Sequence, residues 1–120
     1  MKYFFDTYAI IEVIRENKNY EKYKEEEIVT SILNVGELYY SLLREEGEKT
    51  ADSWYQKLKQ TAMLVDADII VKAMKFRFEN RAKKSSFIDC VGYAIAKDRS
   101  LRFLSGDKAF ENFDNVEFVK

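Results

Sequence analysis

The feature that most restricts the fold is a repeated alternation along the chain. Short apolar runs at residues 2–5, 28–30, 62–65, 101–104 and 116–119 have strand length. Between them, apolar residues recur at helical spacing, as at Ala9, Ile10, Val13 and Ile14, at Val35, Leu38, Tyr39, Leu42 and Leu43, and at Ile69, Ile70, Ala73 and Met74. Strands that alternate with helices predict a parallel sheet covered by helices on both faces, an α/β three-layer domain. There is no proline to mark boundaries, so Gly47 is read as a helix stop and Asp66 as a helix cap. Further helices are expected around residues 19–27, with Tyr20 and Tyr23 on the inner edge, around 50–60, and from Phe87 to about Lys97. At 120 residues and 47% hydrophobic content, residues 1–120 are expected to form a single domain around one core.

Composition excludes several kinds of chemistry. The chain has no histidine, which removes Ser-His-Asp and Cys-His catalysis, HExxH zinc sites and metal-free RNA cutting by paired imidazoles. Its four glycines form no phosphate-cradling loop. The one cysteine, Cys90, has no partner for an internal disulfide and lies in an apolar helical stretch, where it reads as a core residue. Acids and bases nearly cancel to a net charge of −1, so a basic contact surface has to be local. No signal-peptide pattern or membrane-length apolar run is seen, and the expected location is cytoplasmic.

If the chain is an enzyme, carboxylates carry its chemistry, and four of them stand out. Asp6 ends the first apolar run and Asp107 follows the fourth, on the sheet edge where α/β folds gather their functional groups. Glu37 and Asp89 are each flanked by apolar residues on both sides in sequence, where an acid needs a partner. Each also has a purely local reading. Asp6 and Asp107 can cap the helices that follow them, and Asn34-x-x-Glu37 and Ser86-x-x-Asp89 have the spacing of a capping box. Taken together at one sheet edge, the four acids would repel one another unless a cation lay between them. Mg²⁺ or Mn²⁺, which take oxygen ligands and leave room for water and phosphate, answer that need.

The segments FFDTYAIIE, NVGELYYSL, SSFIDCVGYAIA and LRFLSGDKAF resemble, in order and spacing, the four motifs of PIN-domain proteins, particularly the short VapC-type toxins. The resemblance spans essentially the whole chain. It implies a parallel sheet of about five strands, a Mg²⁺- or Mn²⁺-dependent ribonuclease, and a cognate antitoxin protein, VapB-like, that blocks the site. By position it assigns Asp6, Glu37, Asp89 and Asp107 to the catalytic, metal-holding quartet. Thr7 and Ser105 match hydroxyls that orient a carboxylate or a metal water, while local capping and turn formation explain the same two residues. Gly92 stands where similar proteins more often carry alanine, and its missing side chain allows close packing of the helix.

RNA requires basic contacts. Lys83 and Lys84, just ahead of the Asp89 helix, and Lys108, beside Asp107, are the best-placed candidates, with Arg77 and Arg81 extending the patch; an ordinary solvated face explains the same five residues. Tyr39 and Tyr40 fall on or beside a helical apolar stripe and are read as core or dimer packing rather than base stacking. Homodimers are usual among similar toxins, so self-association is expected. Two other readings are a non-catalytic RNA-binding or assembly module on the same fold, and a related nuclease that acts on DNA.

Overall fold

The computed structural model describes residues 2–120. Strand β1 (Tyr3–Phe5) runs into helix α1 (Thr7–Ile14), followed by a 3-10 segment at Lys18–Tyr23. Helices α2 (Ile32–Glu45), α3 (Glu48–Leu58) and α4 (Ala67–Glu79) come next, and then α5 (Phe87–Asp98), β2 (Arg102–Ser105) and β3 (Val116–Phe118). The three strands form a parallel sheet in the order β1-β2-β3, with Phe4 opposite Phe103 and Phe103 opposite Val116.

Alternation along the strands builds the layers. Tyr3, Phe5 and Leu104 pack with α1, α2, α3 and the tyrosines Tyr20 and Tyr23. Phe4 and Phe103 point the other way, into a core made with Ala73 of α4, with Cys90, Val91 and Tyr93 of α5, and with Phe110. The aromatic run at the N-terminus is thus buried on both faces, as a parallel strand between two helical layers requires. Gly92 lies where α5 crosses the sheet; a Cβ there would come within 2.8 Å of the Phe4 ring and 3.2 Å of the Phe103 ring.

Among the described residues three strands form the sheet, where about five were expected. The apolar run at 28–30 does bond to β1 through one backbone hydrogen bond, and the run at 62–65 meets the end of that run through one parallel bridge. The Phe5 N–H donates to the Val29 carbonyl, while Met63 donates to Thr30 and accepts from Ile32 around a single Ser31–Met63 bridge. Neither segment extends into a ladder, because α2 starts at Ile32 and Thr30 turns its hydroxyl, not a backbone N–H, onto the Phe5 carbonyl at 2.8 Å.

Smaller differences have equally local causes. The segment around residues 19–27 winds as a short 3-10 turn rather than an α-helix, and its Tyr20 and Tyr23 are nevertheless buried as expected. Helix α2 is capped by the Ser31 hydroxyl, which puts Asn34 at the third helical position and removes it from the capping role that its spacing to Glu37 suggested. Leu43 and Tyr40 of α2 face solvent, 41% and 63% exposed, leaving Val35, Leu38 and Leu42 as the buried stripe. Gly47 both ends the α2 segment and opens α3 at φ +95°, a backbone shape that suits glycine. Asp66 caps α4 as expected, accepting from Ile69 N–H at 2.9 Å.

Candidate functional site

The first acid is set by the end of β1. Asp6 leaves the strand in extended conformation and is 1% exposed. Its Oδ1 accepts the Thr7 N–H at 2.9 Å, which starts α1, and its Oδ2 accepts the Ser105 hydroxyl at 2.7 Å from the end of β2. Ser105 in turn accepts the Asp107 N–H at 3.0 Å, so one buried hydroxyl joins the first acid to the turn that carries the last. Asp107 caps the following 3-10 turn through Ala109 N–H at 3.0 Å. Asp89 forms a capping box with Ser86, donating its N–H to the serine hydroxyl at 3.1 Å and accepting the Ser86 N–H at 3.5 Å. The local capping role therefore holds for Asp6, Asp89 and Asp107, and fails for Glu37.

The same residues share an electrostatic environment. Burial holds the Asp6 carboxyl well above the usual carboxylate range, and the charges of Asp89 and then Glu37 raise it further against the hydrogen bonds of Ser105 and Thr7. Asp89 is pushed up to about 6, first by burial, with a contact to Asp107 and the charge of Glu37 adding to it and the Ser86 contact opposing. Asp89 is thus within electrostatic reach of Asp6, Glu37 and Asp107, and Asp6 of Glu37 as well. Among the described residues none of the four forms an ion pair with a lysine or arginine. Nor do three of them converge into a ready-made cation cage. The donor set is oxygen throughout, without histidine or thiol, and lacks a protein counter-charge. That combination fits a hard divalent cation.

The other expected residues divide by the work they already do. Thr7 and Ser105 are buried and touch Asp6 or its neighbours directly. Arg77 donates to the Ser85 carbonyl at 3.2 Å, and Arg81 donates to the Phe78 carbonyl at 2.8 Å while lying over the Phe78 ring. Lys83 lies 5.9 Å from the centre of the Phe113 ring. Lys84 and Lys108 are exposed. Sequence reasoning missed Asn34 as part of the site's support. It is wholly buried and donates to the Thr7 hydroxyl at 3.0 Å, and the signal available was a polar amide set among the apolar residues of α2. A cavity of about 750 Å³ between α2 and α3, lined by residues such as Ile32, Tyr39, Asp52 and Tyr55, includes none of the four acids.

A family model described as the PIN domain matches residues 3–116. The chain belongs to the PIN-domain family. Solved structures share the fold across nearly the whole PIN domain. A toxin–antitoxin complex from Klebsiella pneumoniae superposes with a TM-score of 0.76 at 16% identity, covering 98% of this chain and 96% of the other. A VapC toxin of Mycobacterium tuberculosis described as cleaving the sarcin-ricin loop also gives 0.76, at 18% identity over 96% and 98% of the two chains. A DNA-bound VapBC complex from Salmonella typhimurium gives 0.73 at 14% identity over 98% and 96%. No curated protein sequence matches the chain. Among the described residues of this PIN domain, no helix is long and apolar enough to cross a membrane.

Proposed function

We propose that this PIN domain, acting as a single unit over residues 1–120, is a metal-dependent endoribonuclease and the toxin of a type II toxin–antitoxin pair. The observation that carries the proposal is Asp6: a dry carboxylate at the carboxyl end of β1, pressed by the charges of Asp89 and Glu37 and paired with no basic side chain. The fold likeness to a toxin described as cleaving the sarcin-ricin loop supports RNA as the substrate, and the likeness to toxin–antitoxin complexes supports an antitoxin partner. Tyr40, Leu64 and Phe78, exposed by 63%, 83% and 66%, supply apolar surface for that partner and for a second copy in a homodimer.

Asp6 and Asp89 would be the main holders of Mg²⁺ or Mn²⁺, with Glu37 and Asp107 completing the oxygen set. When bound, the cation supplies Lewis acidity to the phosphodiester and makes the attacking water a better nucleophile. Ser105 and the Thr7 N–H fix both oxygens of Asp6 so that its carboxylate does not rotate. Glu37 would position the attacking water, and Asp107, held on the Ser105 turn, would hold a metal water. Lys84 and Lys108 face solvent free of the local contacts that engage Arg77, Arg81 and Lys83, and they carry the largest share of the contact with RNA phosphates.

A second reading has one observation in its favour: three of the four acids already cap helices, so the fold has a use for them without catalysis. Cleavage of a structured RNA mixture, with Mn²⁺ or with EDTA, separates the two. The nuclease reading expects cleavage with Mn²⁺ only, and a loss of at least about 100-fold in Asp6→Asn and Asp89→Asn, roughly 2.7 kcal/mol of transition-state stabilisation. Cleavage that survives EDTA or both substitutions sinks it.

A further inference from the structure

We propose that Asn34 is a positioning residue: its amide sets the spacing between α2, which carries Glu37, and the corner that carries Asp6, and thereby tunes the affinity of the acids for their cation. The inference rests on the nuclease reading and deepens it. Asn34 is 0% exposed, and a buried amide is tolerated only when both ends are satisfied. Its helix has no need of it, because the Ser31 hydroxyl already caps α2 through the Asn34 N–H. The side chain is engaged elsewhere: Oδ1 accepts from the Ser31 hydroxyl at 2.7 Å and Nδ2 donates to the Thr7 hydroxyl at 3.0 Å.

Three buried bonds tie residues 29–34 to the Asp6 corner. Phe5 N–H to the Val29 carbonyl and the Thr30 hydroxyl to the Phe5 carbonyl both end on the strand backbone, ahead of the acid. Only the Asn34 bond reaches past Asp6 to the first residue of α1. Thr7 is also the residue whose N–H holds Asp6 Oδ1. Glu37 lies three residues after Asn34, one turn along and on the same side of α2. Removing the amide leaves the sheet contacts intact and frees α2, with Glu37, to shift against Asp6.

Calorimetric titration with Mn²⁺, together with melts in EDTA, tests this on the full domain. Asn34→Leu replaces the amide with an apolar side chain of similar size. Thr30→Val removes a comparable buried bond from the same segment without touching residue 7. Asn34→Thr is a milder change read beside them. Both Asn34→Leu and Thr30→Val are expected to melt lower, but only Asn34→Leu should bind Mn²⁺ about 10- to 100-fold more weakly, with Asn34→Thr between it and wild type. Wild-type affinity in both Asn34 variants, or affinity lost in Thr30→Val in step with its stability, makes the role purely structural and overturns the proposal. A wild-type protein that takes up no Mn²⁺ is a distinct result that removes the metal-nuclease reading and this inference with it.

Discussion

Asp89 is where capping and charge pull in opposite directions. It completes the box at the start of α5, yet its carboxyl is held up at about 6 by burial and by the neighbouring acids. A carboxyl that holds its proton more tightly when folded than when unfolded contributes stability below its ordinary value of 3.8, and that contribution is lost as pH rises through about 6. Asp89→Asn keeps an oxygen for the Ser86 N–H and has no charge to lose. In EDTA the variant should therefore melt close to wild type at pH 4 and higher than wild type at pH 7, by about 1 to 2 kcal/mol or a few degrees. Equal melts at both pH values would show that Asp89 feels no crowding. At this scale the sequence was legible in its atoms but not in their use. Asp6, Asp89 and Asp107 stand out because acids at strand ends and helix starts are conspicuous, and their capping role does not separate the two readings because a capping carboxylate is also available to a cation. Asn34 was misread because its spacing to Glu37 imitates a capping box, whereas the cap is three residues earlier.

Among the elements, the helices were legible because an amphipathic stripe is a local signal, and α2, α4 and α5 fall close to where it placed them. The strands expected at 28–30 and 62–65 did not form ladders, since a strand exists only where a neighbour completes it, and the single Ser31–Met63 bridge depends on where α2 begins. Two glycines hold elements close together and differ in what they protect. Gly92→Ala would add a methyl 2.8 Å from the Phe4 ring, deep in the core, and its better helix propensity does not offset that overlap. We expect a loss of about 1 to 2 kcal/mol in denaturant melts with Mn²⁺ affinity retained. Gly106→Ala would bring its methyl against the Tyr8 ring and within 2.5 Å of the Val119 carbonyl, in the turn between Ser105 and Asp107. There the loss should appear in both stability and Mn²⁺ affinity, and an unchanged affinity would detach Asp107 from the site.

For the molecule as a whole, near-neutrality limits how RNA can be held. With a net charge of −1 and five basic candidates, three of which already serve local contacts, phosphate contacts are few. The logarithm of RNA affinity for a catalytically dead variant should then fall with the logarithm of salt at a slope no steeper than about −3.5, the value for five contacts to a single strand. A steeper slope would reveal a basic surface that the sequence and fold do not suggest. The three-layer architecture was readable from the strand–helix alternation because both cores follow from which way successive strand residues point. One consequence of the architecture concerns time. The Ser105 hydroxyl that steadies Asp6 comes 99 residues after it, and β1 lacks its β2 neighbour until the same stretch has been made. A chain that stops before β2 therefore carries Asp6, Glu37 and Asp89 without the turn whose Ser105 hydroxyl holds Asp6 Oδ2.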